Sequence, residues 1–128
     1  VTGSSDVCSS DLVLAAGPEF KVLARNKLAA GFTVSASWNG DKHNTLYQLL
    51  TLALQHGMVW VGTGMMPARQ PGHPDEINRL GSAIGVMAQA DNVPPDQSPP
   101  AGDIETARLY GKRIAEMSGA MRGRLGAV

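Results

Sequence analysis

A chain of 128 residues is long enough for one domain and too short for two. At 43% hydrophobic and 17% charged it has the composition of a globular protein, not of a disordered tail. Eleven Lys plus Arg balance eleven Asp plus Glu, so no net field draws in nucleic acid or an acidic membrane, and the lone Cys8 excludes an internal disulfide.

The longest strongly apolar run, around Leu46 to Leu54, is broken by Gln48 and Thr51 and is too short to span a bilayer. With neither a span nor a stapled, secreted pattern, the expected compartment is the cytoplasm. Val1 to Leu12 has no helical or strand periodicity. It resembles the translation of a common DNA-sequencing adapter, with Ser4 to Leu12 as one uninterrupted reading frame. On that reading residues 1–12 are an artefact to be set aside from fold reasoning, and Cys8 carries no function. Residues 13–122 are then the C-terminal part of one domain, 123–128 a tail, and the natural protein has more sequence upstream. The alternative is a natural loop of turn-forming Ser, Asp and Gly.

Val13 to Ala16 is apolar and stops at Gly17-Pro18, the end of some element. Ala29 to Ser35 predicts a strand, with Phe32, Thr33 and Val34 as β-formers. A turn-rich stretch from Trp38 to Asp41 follows. From Asn44 or Thr45, either of which is a suitable N-cap, the pattern predicts a helix to Gln55 or His56 with an apolar face of Leu46, Leu49, Leu50, Ala53 and Leu54. Gly57 is placed for a left-handed C-terminal cap. Met58 to Val61 is apolar on both alternating faces, as in a parallel strand covered on both sides.

Strand, helix and strand with such short joints make a βαβ unit, and the expectation is that Phe32 to Ser35 and Met58 to Val61 lie side by side in parallel. Thr63 to Pro74 reads as a loop. Arg79 to Ala90 mixes small and apolar residues, and its Gly81 and Gly85 suggest close backbone packing. Asp91 to Gly102, with four prolines, is another irregular connection. Asp103 to Met121 predicts a helix whose inner face is Ile104, Ala107, Gly111, Ile114, Ser118 and Met121, with Arg108, Lys112, Arg113 and Arg122 outside. Glu105 falls in its first turn, where the dipole favours an anion. Two strands do not complete an α/β core, which agrees with sequence missing upstream.

Ligands of open parallel sheets bind beyond the carboxyl ends of the strands. Ser35 to Asn44 leaves such an end and enters a helix N-terminus, where free N–H groups can donate. Ser35, Ala36, Ser37 and Gly40 permit close backbone approach, and Trp38 offers a flat apolar surface. His43 and His73 have no partners at metal-ligand spacing, and no Gly-x-Ser-x-Gly elbow is present, so neither a metal site nor a hydrolase is expected.

The ordered set Lys27 to Ser35, Gly40-Asp41-Lys42, Asn44-Thr45-Leu46, Gln55 to Gly62, Asn78 to Ser82 and Glu105 to Gly111 resembles the flavodoxin-like NAD(P)H:quinone oxidoreductases and NADPH-dependent FMN reductases. The tryptophan-repressor-binding-protein-like group is the nearest in pattern. The resemblance runs from about Gly17 to about Met117. The His-Gly-Met segment after a leucine-rich helix is its most specific element.

The resemblance implies a flavodoxin-like doubly wound parallel sheet, a three-layer αβα fold, with its N-terminal part missing. It implies FMN as cofactor and NADPH or NADH as donor. A quinone, a flavin or a similar small molecule would be the acceptor, and the full-length protein would be a homo-oligomer. It assigns the flavin site to Ser35, Ala36, Ser37, Trp38, Asn39 and Gly40, with His56 reaching it, and needs no catalytic acid or base. Ala36 and Trp38 depart from the family's usual Ser, Thr and Gly, so polar flavin contacts there would come from backbone donors. A histidine at a helix end can also simply cap carbonyls, which is the other reading of His56. The alternatives to a reductase are a flavodoxin-type electron carrier without nicotinamide turnover, and an inactive fragment that binds no flavin.

Overall fold

In the computed structural model the described residues are 28–68 and 75–125, the last few by backbone alone. The adapter-like segment, Val13 to Ala16, and His73 with its neighbouring prolines lie outside them.

The β-favouring stretch forms β1 (Leu28–Ala29) and β2 (Phe32–Ser35), separated only by Ala30 and Gly31. β1 pairs in parallel with β3 (Val59–Trp60), and β2 pairs in parallel with β4 (Val86–Gln89). The carbonyls of Ala29, Gly31 and Ser35 accept from the N–H groups of Val61, Val86 and Ala90. Carbonyls two residues apart on a strand point the same way. Both partners therefore lie on one edge, and the run 28–35 is a single line of chain that changes neighbours halfway. The result is an α/β fold with parallel strands.

Phe32–Ser35, expected to lie beside Met58–Val61, pairs in parallel with β4 instead, and it is the preceding β1 that pairs in parallel with β3. Ala29 opposes Trp60, while Phe32 opposes Val86. The chain leaves this edge after Val61, and the Thr63 N–H turns to the Ala83 carbonyl at 3.0 Å. Gly85 then enters against the first strand so closely that a Cβ there would overlap the Gly31 carbonyl. The Trp60 indole, donating to the Ile84 carbonyl at 2.6 Å, holds the two arriving segments together. Val86–Gln89 reads Val-Met-Ala-Gln, and three of its four residues are good helix formers, so propensity did not mark it as a strand. Pairing with β2 overrides that preference.

Helix α1 (Lys42–Gln55) joins β2 to β3 and starts earlier than the Asn44 or Thr45 expected. Asp41 precedes it at φ 49° without a side-chain cap bond. Leu46 and Ala53 are fully buried, and Ala53 packs with Ala29 and Met58. Gly57 takes φ +70°, the expected left-handed cap, and Met58 N–H returns to the Ala53 carbonyl at 2.9 Å.

Helix α2 (Ala101–Leu125) contains the predicted 103–121 span but faces the sheet differently. Its buried residues are Gly102, Asp103, Thr106 and Tyr110, with Ile114 and Met117 packed behind them. Ile104, Ala107 and Gly111 are exposed, and no atom lies within 4 Å of a Cβ built on Gly111. The face is rotated because its polar atoms are satisfied inside. Thr106 Oγ1 donates to the Gly102 carbonyl and accepts the Asn78 N–H at 2.8 Å.

Tyr110 explains the orientation. Where the first strand exchanges β3 for β4, the Gly31 N–H and the Val61 carbonyl have no strand partner among the described residues. The Tyr110 hydroxyl accepts from Gly31 N–H at 3.4 Å and donates to the Val61 carbonyl. Its ring packs on Ala30, Val61 and Val86. Burial holds the phenol above its usual pKa of 10.0.

Tyr110→Phe keeps the ring and orphans both backbone groups, so urea denaturation should register a loss of about 1–3 kcal/mol. The pH dependence has a fixed sign. A phenol whose folded pKa is raised stabilises the fold below pH 10, and that contribution is lost as pH rises from about 10 through the folded value. The wild-type chain should therefore lose stability above pH 10 more steeply than Tyr110→Phe.

Candidate functional site

The carboxyl ends of β2 and β4 meet where Ser35 opposes Gln89. From there the chain runs through Ser35–Gly40 into α1. Gly40 at φ +54° and Asp41 at φ +49° turn it sharply, and a Cβ on Gly40 would overlap Ser35 Oγ. Ser35 Oγ donates to the Ser37 carbonyl at 3.0 Å, and Asn39 Oδ1 accepts the Asp41 N–H at 3.1 Å, a local side-chain turn.

Lys42 lies beneath this loop, 2% exposed, at the first position of α1. Its Nζ donates to the Ser37 carbonyl at 2.7 Å, the Trp38 carbonyl at 3.0 Å and Gln89 Oε1 at 3.2 Å. Gln89 Nε2 donates to the Ala36 carbonyl and to Asp91 Oδ1. Three successive loop carbonyls are thus drawn inward. The N–H groups of Ala36 to Gly40 have no acceptor among the described residues, and Trp38 stands 80% exposed.

The polar cluster continues away from the loop. Asp103, in the first turn of α2, accepts the Gln89 N–H at 2.8 Å and a two-pronged ion pair from Arg79 at 2.6 and 2.9 Å. Lys42, Gln89 and Asp103 are each buried, so every charge in the cluster depends on these partners. Burial lowers the Lys42 pKa; attraction to Asp103 opposes that shift and repulsion from Arg79 adds to it.

Of the residues expected to form a site, Ser35, Ala36, Ser37, Trp38, Asn39 and Gly40 come together as one loop. His56 does not join them. It caps the far end of α1, where its N–H bonds the Leu52 and Ala53 carbonyls. The 14 residues of α1 put it about 20 Å from the loop at 1.5 Å per residue. Lys42, Gln89, Asp103 and Arg79 were not anticipated. The available signal was Lys42 itself, a cation in the first turn of a helix, where the dipole disfavours it.

No described helix is long and apolar enough to cross a membrane. Among the described residues, no group of three or more His, Cys, Asp or Glu could hold a metal ion.

No family model matches the chain, and no solved structure matches it. Curated relatives do. Flavodoxin FldP of Pseudomonas aeruginosa is 42% identical over 94 residues, covering 73% of this chain and 51% of its own length. An NAD(P)H dehydrogenase (quinone) of Methylocella silvestris is 34% identical over 99 residues, 76% of this chain and 47% of its own. One from Archaeoglobus fulgidus is 34% identical over 92 residues, 72% of this chain and 40% of its own. The chain therefore spans about half the length of the curated relatives it matches or less. With the parallel α/β architecture and the loop at its carboxyl end, these matches place the chain in the flavodoxin-like NAD(P)H:quinone oxidoreductase family.

Proposed function

We propose that this chain carries the ring-side flavin loop of an FMN-dependent oxidoreductase that passes electrons from NADPH or NADH to a quinone or similar small acceptor. The observation that carries the reading is the loop Ser35–Gly40. It lies at the carboxyl end of two adjacent parallel strands, with the Ala36, Ser37 and Trp38 carbonyls drawn inward, the N–H groups of Ala36 to Gly40 without an acceptor among the described residues, and Trp38 exposed. Such a surface suits a flat ring with hydrogen-bond acceptors along one edge. It also fits FMN despite Ala36 and Trp38, since donation from the backbone needs no hydroxyl.

When bound, FMN supplies the hydride and electron chemistry. The protein's share is to hold and orient it and to tune its electronics. The loop supplies donors, Trp38 supplies a flat wall, and no side chain is required as acid or base. At about 20 Å from its own loop, His56 reaches a flavin only from a second copy of the chain. A homo-oligomer would supply that second copy. The balanced charge favours a small-molecule partner over nucleic acid, and a cytoplasmic setting suits nicotinamide chemistry.

A second reading has its own support, because the 42% identical relative is named a flavodoxin. An electron carrier would bind FMN without turning over nicotinamide. Stopped-flow oxidation of NADPH by the FMN-loaded, upstream-extended protein, with a quinone present, separates the two. Multiple turnovers support the reductase; flavin reduction without turnover supports the carrier.

Two further outcomes follow. FMN also needs a phosphate cradle, which in this fold is a helix N-terminus and a run of N–H groups after another strand. If that cradle lies in the half of the relatives not matched here, the 128-residue chain lacks two or more charge-assisted bonds worth about 1.5–3 kcal/mol each. Fluorescence titration should then find FMN at least about a hundredfold weaker than with an upstream-extended version. Equal, tight binding by both would put the complete site in this chain. Gly40→Ala forces a side chain into a left-handed conformation, at about 1–2 kcal/mol, and against Ser35 Oγ. In the extended protein it should weaken FMN about tenfold or more, with little change in the helix content seen by circular dichroism.

A further inference from the structure

Resting on the flavin reading of the loop, we infer that Lys42 is the positioning residue of the site: its buried ammonium, bridged to β4 by Gln89, sets the donor-outward shape of Ser35–Gly40.

The position is a costly one for lysine. A cation in the first turn of a helix opposes the dipole, and an ammonium drawn out of water loses its hydration. None of its hydrogen-bond acceptors is a carboxylate. They are two loop carbonyls and one side-chain amide. Asp103 contributes charge from behind Gln89, whose backbone N–H it accepts, and is itself already engaged by Arg79. A buried charge held in this way adds little to global stability, and an apolar residue of similar volume can replace one at no net cost.

What the ammonium does provide is a unique loop conformation. Rotation of either the Ser37 or the Trp38 peptide would turn a carbonyl outward, and Lys42 opposes both. Gln89 does the same for Ala36. The three bonds therefore decide which way the loop's donors point, although no Lys42 atom need touch a ligand.

The test uses the 128-residue chain, labelled with nitrogen-15, as wild type and as Lys42→Met, which keeps the stem and removes the charge. Relaxation measurements should find the amides of Ser37, Trp38, Asn39 and Gly40 rigid in wild type. In Lys42→Met they should fall to order parameters below about 0.6, while Leu46 to Ala53 stay unchanged. Titration with FMN, followed by the same amide signals, should give a Kd at least tenfold higher in the variant. A lysine serving stability alone would lower the unfolding midpoint and leave the folded loop as rigid as before. That result overturns the inference.

If wild type shows no FMN response, the titration is repeated with the upstream-extended protein, where a silent loop means that the flavin reading fails. The loop dynamics of the 128-residue chain decide in either case whether Lys42 sets its shape. Should Lys42→Met not fold, Gln89→Met is measured instead. Loosening at Ala36 and Ser37 supports the inference, and an unchanged loop overturns it.

Discussion

One hydroxyl group sits where the sheet would otherwise come apart. The strand 28–35 is paired first with β3 and then with β4, and a strand that changes partners leaves backbone groups over at the junction. Water cannot reach this junction, and an unpaired buried peptide group costs about as much as a lost hydrogen bond. Tyr110 delivers a donor and an acceptor on one atom, from a helix that must therefore present Tyr110 to the sheet. The orientation of α2 follows from that requirement. So does the burial of Thr106 and Asp103, one and two turns earlier on the same face. Asp103 is then in place to receive Arg79 and the end of β4. Thus the exchange of strand partners at one end and the polar cluster under the loop at the other share a single helix face.

The two halves of the chain's chemistry divide along this axis. Apolar packing by Ala29, Ala53 and Met58 on one side, and by Ala30, Val61 and Val86 on the other, fixes where the strands lie. The cluster of Lys42, Gln89, Asp103 and Arg79 fixes how the chain leaves them. Small residues matter at the contacts between the two. Gly85 lets β4 approach Gly31, and Gly40 lets the loop close over Ser35. Without the first, β4 could not take its register. Without the second, the loop could not fold back onto Lys42.

Much of this was legible in the residues, and the failures have physical causes. Helix α1 and its glycine cap followed from a leucine-rich face ending at Gly57. The β-formers Phe32, Thr33 and Val34 marked β2, and the position of the Ser35–Gly40 loop followed from the end of that strand. Val86–Gln89 was missed because Met, Ala and Gln favour helices, and its strand state comes from long-range pairing that no local pattern encodes. The inner face of α2 was misassigned because periodicity was counted on apolar residues. The true face carries Asp103, Thr106 and Tyr110, whose polar atoms are satisfied by partners far along the chain. His56, which the resemblance assigns to the site, lies at the other end of α1 from the loop within one chain. Lys42 belongs to the same class as Tyr110, a polar residue whose role depends on contacts across the fold.

The proposal that backbone N–H groups of the Ser35–Gly40 loop meet a flavin has a direct test. Amide signals of the nitrogen-15-labelled 128-residue chain, recorded while FMN is added, would map that contact. The account predicts that the largest shifts fall on Ala36, Ser37, Trp38, Asn39 and Gly40, with the Trp38 indole moving alongside them. Shifts centred elsewhere in the chain, with those five amides unmoved, would contradict it.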